Sequence, residues 1–360
     1  MLPLLLPLLL LQARPDVDFE KLPFAPKRAI VARATTPLTI DGKLDDPAWQ
    51  AAPWSDEFVD IQGTDALRPR FRTRAKMLWD DNYFYVAAEL DEPEIWGTLT
   101  ERDSVIFRDN DFELFIDPDG DTHNYYELEV NVLGTPWDLL LTQPYRDGGS
   151  AIHGWDIAGL KVGVNVRGTL NHPGDRDEAW TVEIAMPWKA LAEAAPGRRA
   201  PKAGDQWRVN FSRVEWLIDI KDGAYAKRLD ASTGKSLPED NWVWSPQGAI
   251  NMHMPERWGY VQFADTPTAT FVEDQNERVK WALRRLYYRQ RRYAAAHSGK
   301  YATDLAALDA ANISVEGLAF KPAMQVTDSL YEISAPGFNG TTVRIRQDGK
   351  VWVSSNQPSR

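Results

Sequence analysis

The run NDFELFIDPDGD at 110–121, followed at once by YYELEVNVLGTPWDLLL at 125–141, constrains the fold more than any other part of the chain. Its alternation has the period of a β-strand, which sends Phe112, Leu114 and Ile116 to one face and Asp111, Glu113, Phe115 and Asp117 to the other. The first face suits a core. The second is half acidic and is a candidate site. The turn Asp117-Pro118-Asp119-Gly120-Asp121 ends the strand, because Pro118 has no N–H to give and Gly120 tolerates positive φ. A second strand begins at Tyr125.

The rest of the chain reads in the same way. Residues 72–79 and 83–90 predict a hairpin across Asp80-Asp81-Asn82, 162–170 and 179–186 another strand pair, and 207–216 and 259–263 further strands. Residues 187–195 open with Pro, as a short helix does. Trp49 and Trp54, delivered by turns at Asp41-Gly42 and Asp45-Asp46-Pro47, are expected in the core. Many short strands separated by turn residues predict an all-β antiparallel β-sandwich of immunoglobulin-like or jelly-roll type over 38–264. Residues 14–37, Pro-rich and without a period, read as a linker or edge segment. Residues 272–297 contain neither Pro nor Gly and place Val279, Leu283, Leu286 and Tyr293 near one helical face. Short strands follow around 330–334, 343–345 and 351–354, the last two joined by an Asp348-Gly349 hairpin signal. Residues 271–360 therefore predict a small C-terminal α+β domain.

At 360 residues the chain has room for both units. Its net charge of −11 argues against a nucleic-acid partner, since affinity for a polyanion comes largely from Lys and Arg neutralising phosphates. A neutral or cationic ligand fits better. Cysteine is absent, which removes disulfides, thiolate metal sites and catalytic thiols. Aromatic residues are in excess, with 15 Trp, 12 Tyr and 13 Phe, and supply many candidate binding rings. The apolar run MLPLLLPLLLL at 1–11 is too short to span a bilayer and is followed by a small-residue cleavage signal, so residues 1–13 read as a secretory signal peptide. The expected location is periplasmic, cell-surface or extracellular. Between 278 and 292 the helix carries Arg278, Lys280, Arg284, Arg285, Arg289, Arg291 and Arg292 without an acid. Docking onto the acidic sandwich is the first expectation, and a surface or protein partner through this basic helix is the second.

Several segments, taken together and in order, resemble the family 9 carbohydrate-binding modules. They are IDGKLDDPAW at 40–49, MLWDDNYFYVAAEL at 77–90, DNDFELFIDPDGD at 109–121, WTVEIAMPW at 180–188, WRVNFSRV at 207–214 and PERWGYVQF at 255–263. The similarity spans roughly 38–264. It implies a β-sandwich that binds an oligo- or polysaccharide without cleaving it, in which two aromatic rings hold a sugar and polar side chains bond its hydroxyls. The apolar C–H face of a pyranose packs on an aromatic ring, and its hydroxyl belt needs fixed donors and acceptors. In this resemblance the first aromatic position falls on Phe107, and Glu113 matches a hydroxyl-binding glutamate. The second aromatic position is Met252, and the position of an arginine before Val-Asn is taken by Glu129. Trp242, Trp244 and Trp258 are nearby rings that complete the expected ligand-binding set.

Asp117, Asp119 and Asp121 offer oxygens at alternate positions, the donor type that calcium takes, and the family resemblance implies structural calcium. The loop is not an EF-hand, since Thr122 and Leu128 stand where that loop needs Gly and Glu. Two other readings compete with sugar binding. Glu113 with Glu127 or Glu129 could serve as the carboxylate pair of a glycoside hydrolase or lyase acting on O-glycosyl bonds. His253 between Met252 and Met254 offers haem ligands, and a related sandwich superfamily resembles this fold and holds haem for electron transfer. No catalytic residue is assigned.

Overall fold

The computed structural model describes residues 18–355. The expected signal peptide at 1–13 lies outside them.

The opening motif forms the strands Asp111–Asp117 and Tyr125–Asn131, paired antiparallel with Glu113 opposite Glu129 and Phe112 opposite Val130. They belong to a sheet of thirteen strands. From one edge its main path runs Ala151–Ile152, Pro136–Leu141, Tyr125–Asn131, Asp111–Asp117, Gln206–Glu215, Gly259–Ala264, Arg28–Arg33, Thr73–Trp79, Tyr83–Asp91, Ala179–Pro187, Lys161–Arg167. The short strand Asp240–Val243 pairs with the second half of Gln206–Glu215, beyond the part taken by Gly259–Ala264. The predicted hairpin across Asp80-Asp81-Asn82 and the predicted pair of 162–170 with 179–186 both form.

The sheet curls around one core. Phe112, Leu114 and Ile116 meet Phe84, Val86, Trp180 and Val182 from the far half and Val209, Phe211, Val261 and Phe263 from the middle. Phe84 and Phe263, on strands three places apart, make an edge contact at 5.8 Å, and the Phe58 ring stacks near Phe112 and Phe211 at 6.5 and 6.3 Å. Each such ring, moved fully out of water, contributes about 1.5–3 kcal/mol. The segment IDGKLDDPAW is tied to this sheet by one carboxylate: Glu183 accepts hydrogen bonds from Trp49 Nε1 at 2.5 Å, Gly42 N at 2.7 Å and Asp41 N at 2.9 Å. Gly42 has φ +86°, and a Cβ there would lie 2.3 Å from the Val164 backbone, so this close approach needs glycine.

Four expectations need correcting. The sheet is mixed, not purely antiparallel: Arg28–Arg33 runs parallel to both Gly259–Ala264 and Thr73–Trp79. That strand lies in the segment read as a linker or edge, yet it is paired on both sides. Parallel neighbours joined by long crossings leave no hairpin turn in the sequence to announce them. Trp49 is buried, but Trp54 is only half-buried, held between Arg74 and Lys76 at 4.0 and 4.5 Å from its ring. The helix after Pro187 is one turn, Trp188–Leu191.

The C-terminal unit is the helix Asn276–Ala296 against an antiparallel sheet ordered Ala323–Val326, Tyr331–Pro336, Thr341–Arg346, Val351–Ser355. Val279, Leu283, Leu286 and Tyr287 pack on Ile333, Val343 and Ile345. Its basic residues point back into the chain, but of their ion pairs only that of Arg291 with Asp147 is the expected docking onto an acid of the sandwich. Arg285, Arg289 and Arg292 converge on Glu20 at 2.9, 2.5 and 3.0 Å, and Arg291 reaches Asp147 at 2.9 Å. Arg284 donates to Gly349 O at 2.7 Å, Lys280 pairs with Glu277 at 2.7 Å and Arg278 with Glu273 at 3.1 Å. All seven cations of the helix are thus engaged inside the chain.

Candidate functional site

Residues directly opposite each other in antiparallel strands project to the same face. The register therefore aligns Ser212, Glu113, Glu129 and Trp137 as one row across four neighbouring strands, on the face turned away from the core. A second row holds Asn210, Phe115, Glu127 and Leu139, and Asp111 stands beyond the first row opposite Asn131. Four carboxylates, Asp111, Glu113, Glu127 and Glu129, thus share a small area of sheet and are all buried.

Their environment is poor in partners. Glu129 Oε2 accepts Phe107 N at 2.8 Å, and Asp111 Oδ1 accepts Val214 N at 3.2 Å. Asp111 Oδ2, Glu113 Oε2, Glu127 Oε2, Ser212 Oγ and Trp137 Nε1 have no hydrogen-bond partner, five of the eleven such buried atoms among the described residues. So many orphans on one patch mark it as a place where an outside group completes the bonding. Burial, reinforced by the Glu113 charge, pushes the carboxyls of Asp111, Glu127 and Glu129 well above the usual range, and burial raises Glu113 to about 7.

An aromatic group borders the row. The Phe107 ring, 36% exposed, lies 6.4 Å from Trp137 at 27°, and His153 stacks on Trp137 at 5.7 Å and 11°. The one-turn segment Ile106–Arg108 places Phe107, held by Trp216 Nε1 donating to Phe107 O at 2.8 Å. Sequence reasoning missed Trp137 and His153. Trp137 was legible in principle, since counting by twos from the Asp117–Asp121 turn through the next hairpin sets it opposite Glu129.

The structure brings Phe107, Glu113 and Glu129 together. Met252 and Trp258 sit farther along the same face, in an apolar cluster with Phe115, Tyr125 and Trp137, where Trp258 is wholly buried and Trp258 Nε1 donates to Met252 O at 2.9 Å. Trp242 and Trp244 do not join them. Two residues apart along one strand, they point to the same side, and that side is the core: Trp242 lies against Phe71 and Trp244 against Phe211.

His253 is half-buried, with Nδ1 3.0 Å from the Tyr125 hydroxyl, and desolvation lowers it to about 3. Met252 Sδ accepts from Gln247 Nε2 at 3.1 Å, and Met254 is in the interior. Haem ligation does not fit residues already engaged in this way.

Asp117, Asp119 and Asp121 lie with one oxygen each within 4.8 Å of one another. Asp117 already accepts Gly120 N at 3.0 Å and Thr122 N at 2.9 Å, and Lys350 Nζ is 2.6 Å from Asp121 Oδ2. Lys280 donates to Gly120 O at 3.4 Å. Two ammonium groups therefore stand at this turn beside the three carboxylates.

Residues 40–203 match the carbohydrate family 9 binding domain-like model. The matched residues contain the whole row except Ser212, which comes from the strand beyond them. The chain is 34% identical over 107 residues, 30% of its length, to endo-1,4-beta-xylanase C of Paenibacillus barcinonensis. It is 30% identical over 169 residues, 46% of its length, to exoglucanase XynX of Acetivibrio thermocellus. It spans only 9% and 13% of those two curated relatives. A family 9 carbohydrate-binding module from Caldicellulosiruptor kristjanssonii, solved with cellotriose and with glucose, is 16% identical with a TM-score of 0.40, over 69% of this chain and all of that one.

Proposed function

We propose that the family 9-like domain is an exported, non-catalytic module that binds the end of a β-1,4-linked glucan or xylan. The sugar stacks on Phe107 beside Trp137 and His153, and its hydroxyls reach toward the carboxylate row. The observation that carries this reading is the coincidence of an exposed ring with five buried polar atoms that lack partners. A sugar supplies what both need, an apolar face for the ring and hydroxyls that donate to carboxylates and accept from an indole N–H. The two named relatives, a xylanase and an exoglucanase, support the polymer class. Such polymers lie outside the cell, in agreement with the signal peptide expected at 1–13.

The depth of the carboxylates favours binding over cleavage. Glu113, Glu127 and Glu129 are 4%, 5% and 2% exposed, so a glycosidic bond cannot come between them while the face keeps this form. The test is calorimetric titration of the full chain with cello- and xylo-oligosaccharides. Saturable binding that Phe107→Ala weakens by roughly tenfold or more supports the reading. Silence with both series, or equal affinity in the variant, overturns it. Release of reducing ends that Glu113→Gln abolishes would make the chain a glycosidase instead.

A further inference from the structure

Among the described residues, every Lys or Arg that is half-buried or deeper offers its charged end to a carboxylate or a carbonyl, except Lys227. Lys227 ends the hairpin of Ile218–Lys221 and Ala224–Lys227, a two-stranded ribbon outside the larger sheets and outside the matched residues 40–203. Its ammonium rests on the Trp216 ring, 3.2 Å from the centre. A ring face attracts a cation but leaves its three N–H donors without an oxygen. Trp216 in turn donates from Nε1 to Phe107 O at 2.8 Å, so one indole joins the ammonium to the segment that carries the exposed ring. Arg108, next to Phe107, is exposed and has no ion pair, and its charge is felt at Lys227. The acids around Lys227 do not pair with it. Asp109 spends both oxygens on Thr98, Leu99 and Asn131, at 2.7 to 3.0 Å, while Asp111 and Glu239 act on the ammonium only through space.

We propose that Lys227 and Arg108 form an anion subsite beside Phe107, which takes the carboxylate of a uronic acid carried by the bound oligosaccharide. The inference rests on the sugar reading above and narrows it to acidic glycans. A net charge of −11 favours a neutral or cationic ligand on average, but a ligand docked on Phe107 meets two cations that lack partners. A carboxylate gives the ammonium the acceptor it lacks and takes the guanidinium fork as a second donor. The neighbouring carboxyls of Asp111, Glu127 and Glu129, raised well above the usual range by burial, are largely protonated at neutral pH and repel an incoming anion little. Burial also lowers Lys227 to about 8, against the pull of Asp109, Glu239 and Asp111 and with the help of Arg108. A carboxylate at the subsite raises it again, so near pH 8 the acidic ligand binds with uptake of a proton and a neutral one does not.

The experiment is calorimetric titration of the full chain with xylotriose, with xylotriose bearing a glucuronic acid branch, and with the same branch as uncharged glucose. The acidic ligand binds roughly tenfold more tightly than either neutral one, and high salt shrinks that ratio. Titrations near pH 8 in buffers of different ionisation enthalpy show the proton taken up with the acidic ligand alone. Lys227→Gln and Arg108→Gln each bring the ratio of acidic to neutral affinity down toward one, and Glu239→Gln, which removes a repelling charge, raises it. Arg108 is exposed, so its variant tests the subsite even if Lys227→Gln folds poorly. Equal affinity for all three ligands overturns this inference and leaves the sugar reading standing. Silence toward all three overturns both. An acidic preference that both variants keep in full also overturns it, since the carboxylate then sits elsewhere.

Discussion

Trp137 stands opposite Glu129 in the antiparallel register, and its indole stacks with the Phe107 ring at 6.4 Å and with the His153 ring at 5.7 Å. The exposed ring therefore rests on a buried one. Trp137→Ala should cost about 3–5 kcal/mol in a denaturant titration and weaken sugar binding as well. Phe107→Ala, at a ring one third exposed, should weaken sugar with a stability change of about 1 kcal/mol or less. Equal stability losses in the two variants would contradict this division.

Phe211 lies where the rings of Phe58, Phe112 and Trp244 meet, at 6.3, 5.7 and 5.8 Å. It is wholly buried. Phe211→Ala opens a cavity that these rigid neighbours cannot close, so a loss of about 3–5 kcal/mol is expected. A shift in the guanidinium midpoint worth less than about 1 kcal/mol would show that the centre of the sheet is not packed as described.

Acid should loosen the contact between the two units. Burial alone would raise Glu256, but Arg146 at 2.9 Å, with Arg284 and the Tyr288 hydroxyl at 2.5 Å, holds it at about 2. A folded value below the ordinary 4.5 means the stabilisation is fully present above pH 4.5 and is lost as pH falls toward 2. Glu20, held at about 2 by Arg289, Arg292 and Arg285, acts in the same window. Glu256→Gln should therefore be less stable than wild type at neutral pH, and the gap should narrow as pH falls from 4.5 to 2. Melting curves across that range decide it, and a constant gap would rule the linkage out.

Arg284 is buried and donates to Gly349 O at 2.7 Å and Thr122 Oγ1 at 3.3 Å, joining the helix, the last hairpin and the acidic turn. Arg284→Ala leaves that carbonyl buried without its donor. A loss of about 2–4 kcal/mol is expected, with chymotrypsin cutting first after Phe271, between 264 and 276. Protection of that segment equal to wild type would argue against Arg284 as the tie.

Much of the strand pattern was legible because burial on one face imposes a period of two: Phe112, Leu114 and Ile116 went inward and Asp111 and Glu113 outward as their alternation required. The hairpins at Asp80-Asp81-Asn82 and Asp348-Gly349 were legible because their turn residues are local signals. Arg28–Arg33 was not, since its partners lie far along the chain. The tryptophans misled for another reason. A surplus of aromatic residues says nothing about which face each occupies, and Trp244 is so deep that a Cβ on Gly259 would lie 2.3 Å from its ring. The absence of an ion pair at Glu129 among the described residues needs coordinates, because pairs such as Arg146 with Glu256 join residues far apart in the chain.

The placement of Arg28–Arg33 between Gly259–Ala264 and Thr73–Trp79 sets the limits of the folding unit. A fragment beginning at Leu38 would strip one side of both neighbours and leave two rows of backbone N–H and C=O groups open, an invitation to aggregate edge to edge. During synthesis the first strand must likewise wait, unpaired on that side, until the chain has been made through Ala264. Closure of the sheet is thus among the last events of assembly rather than the first.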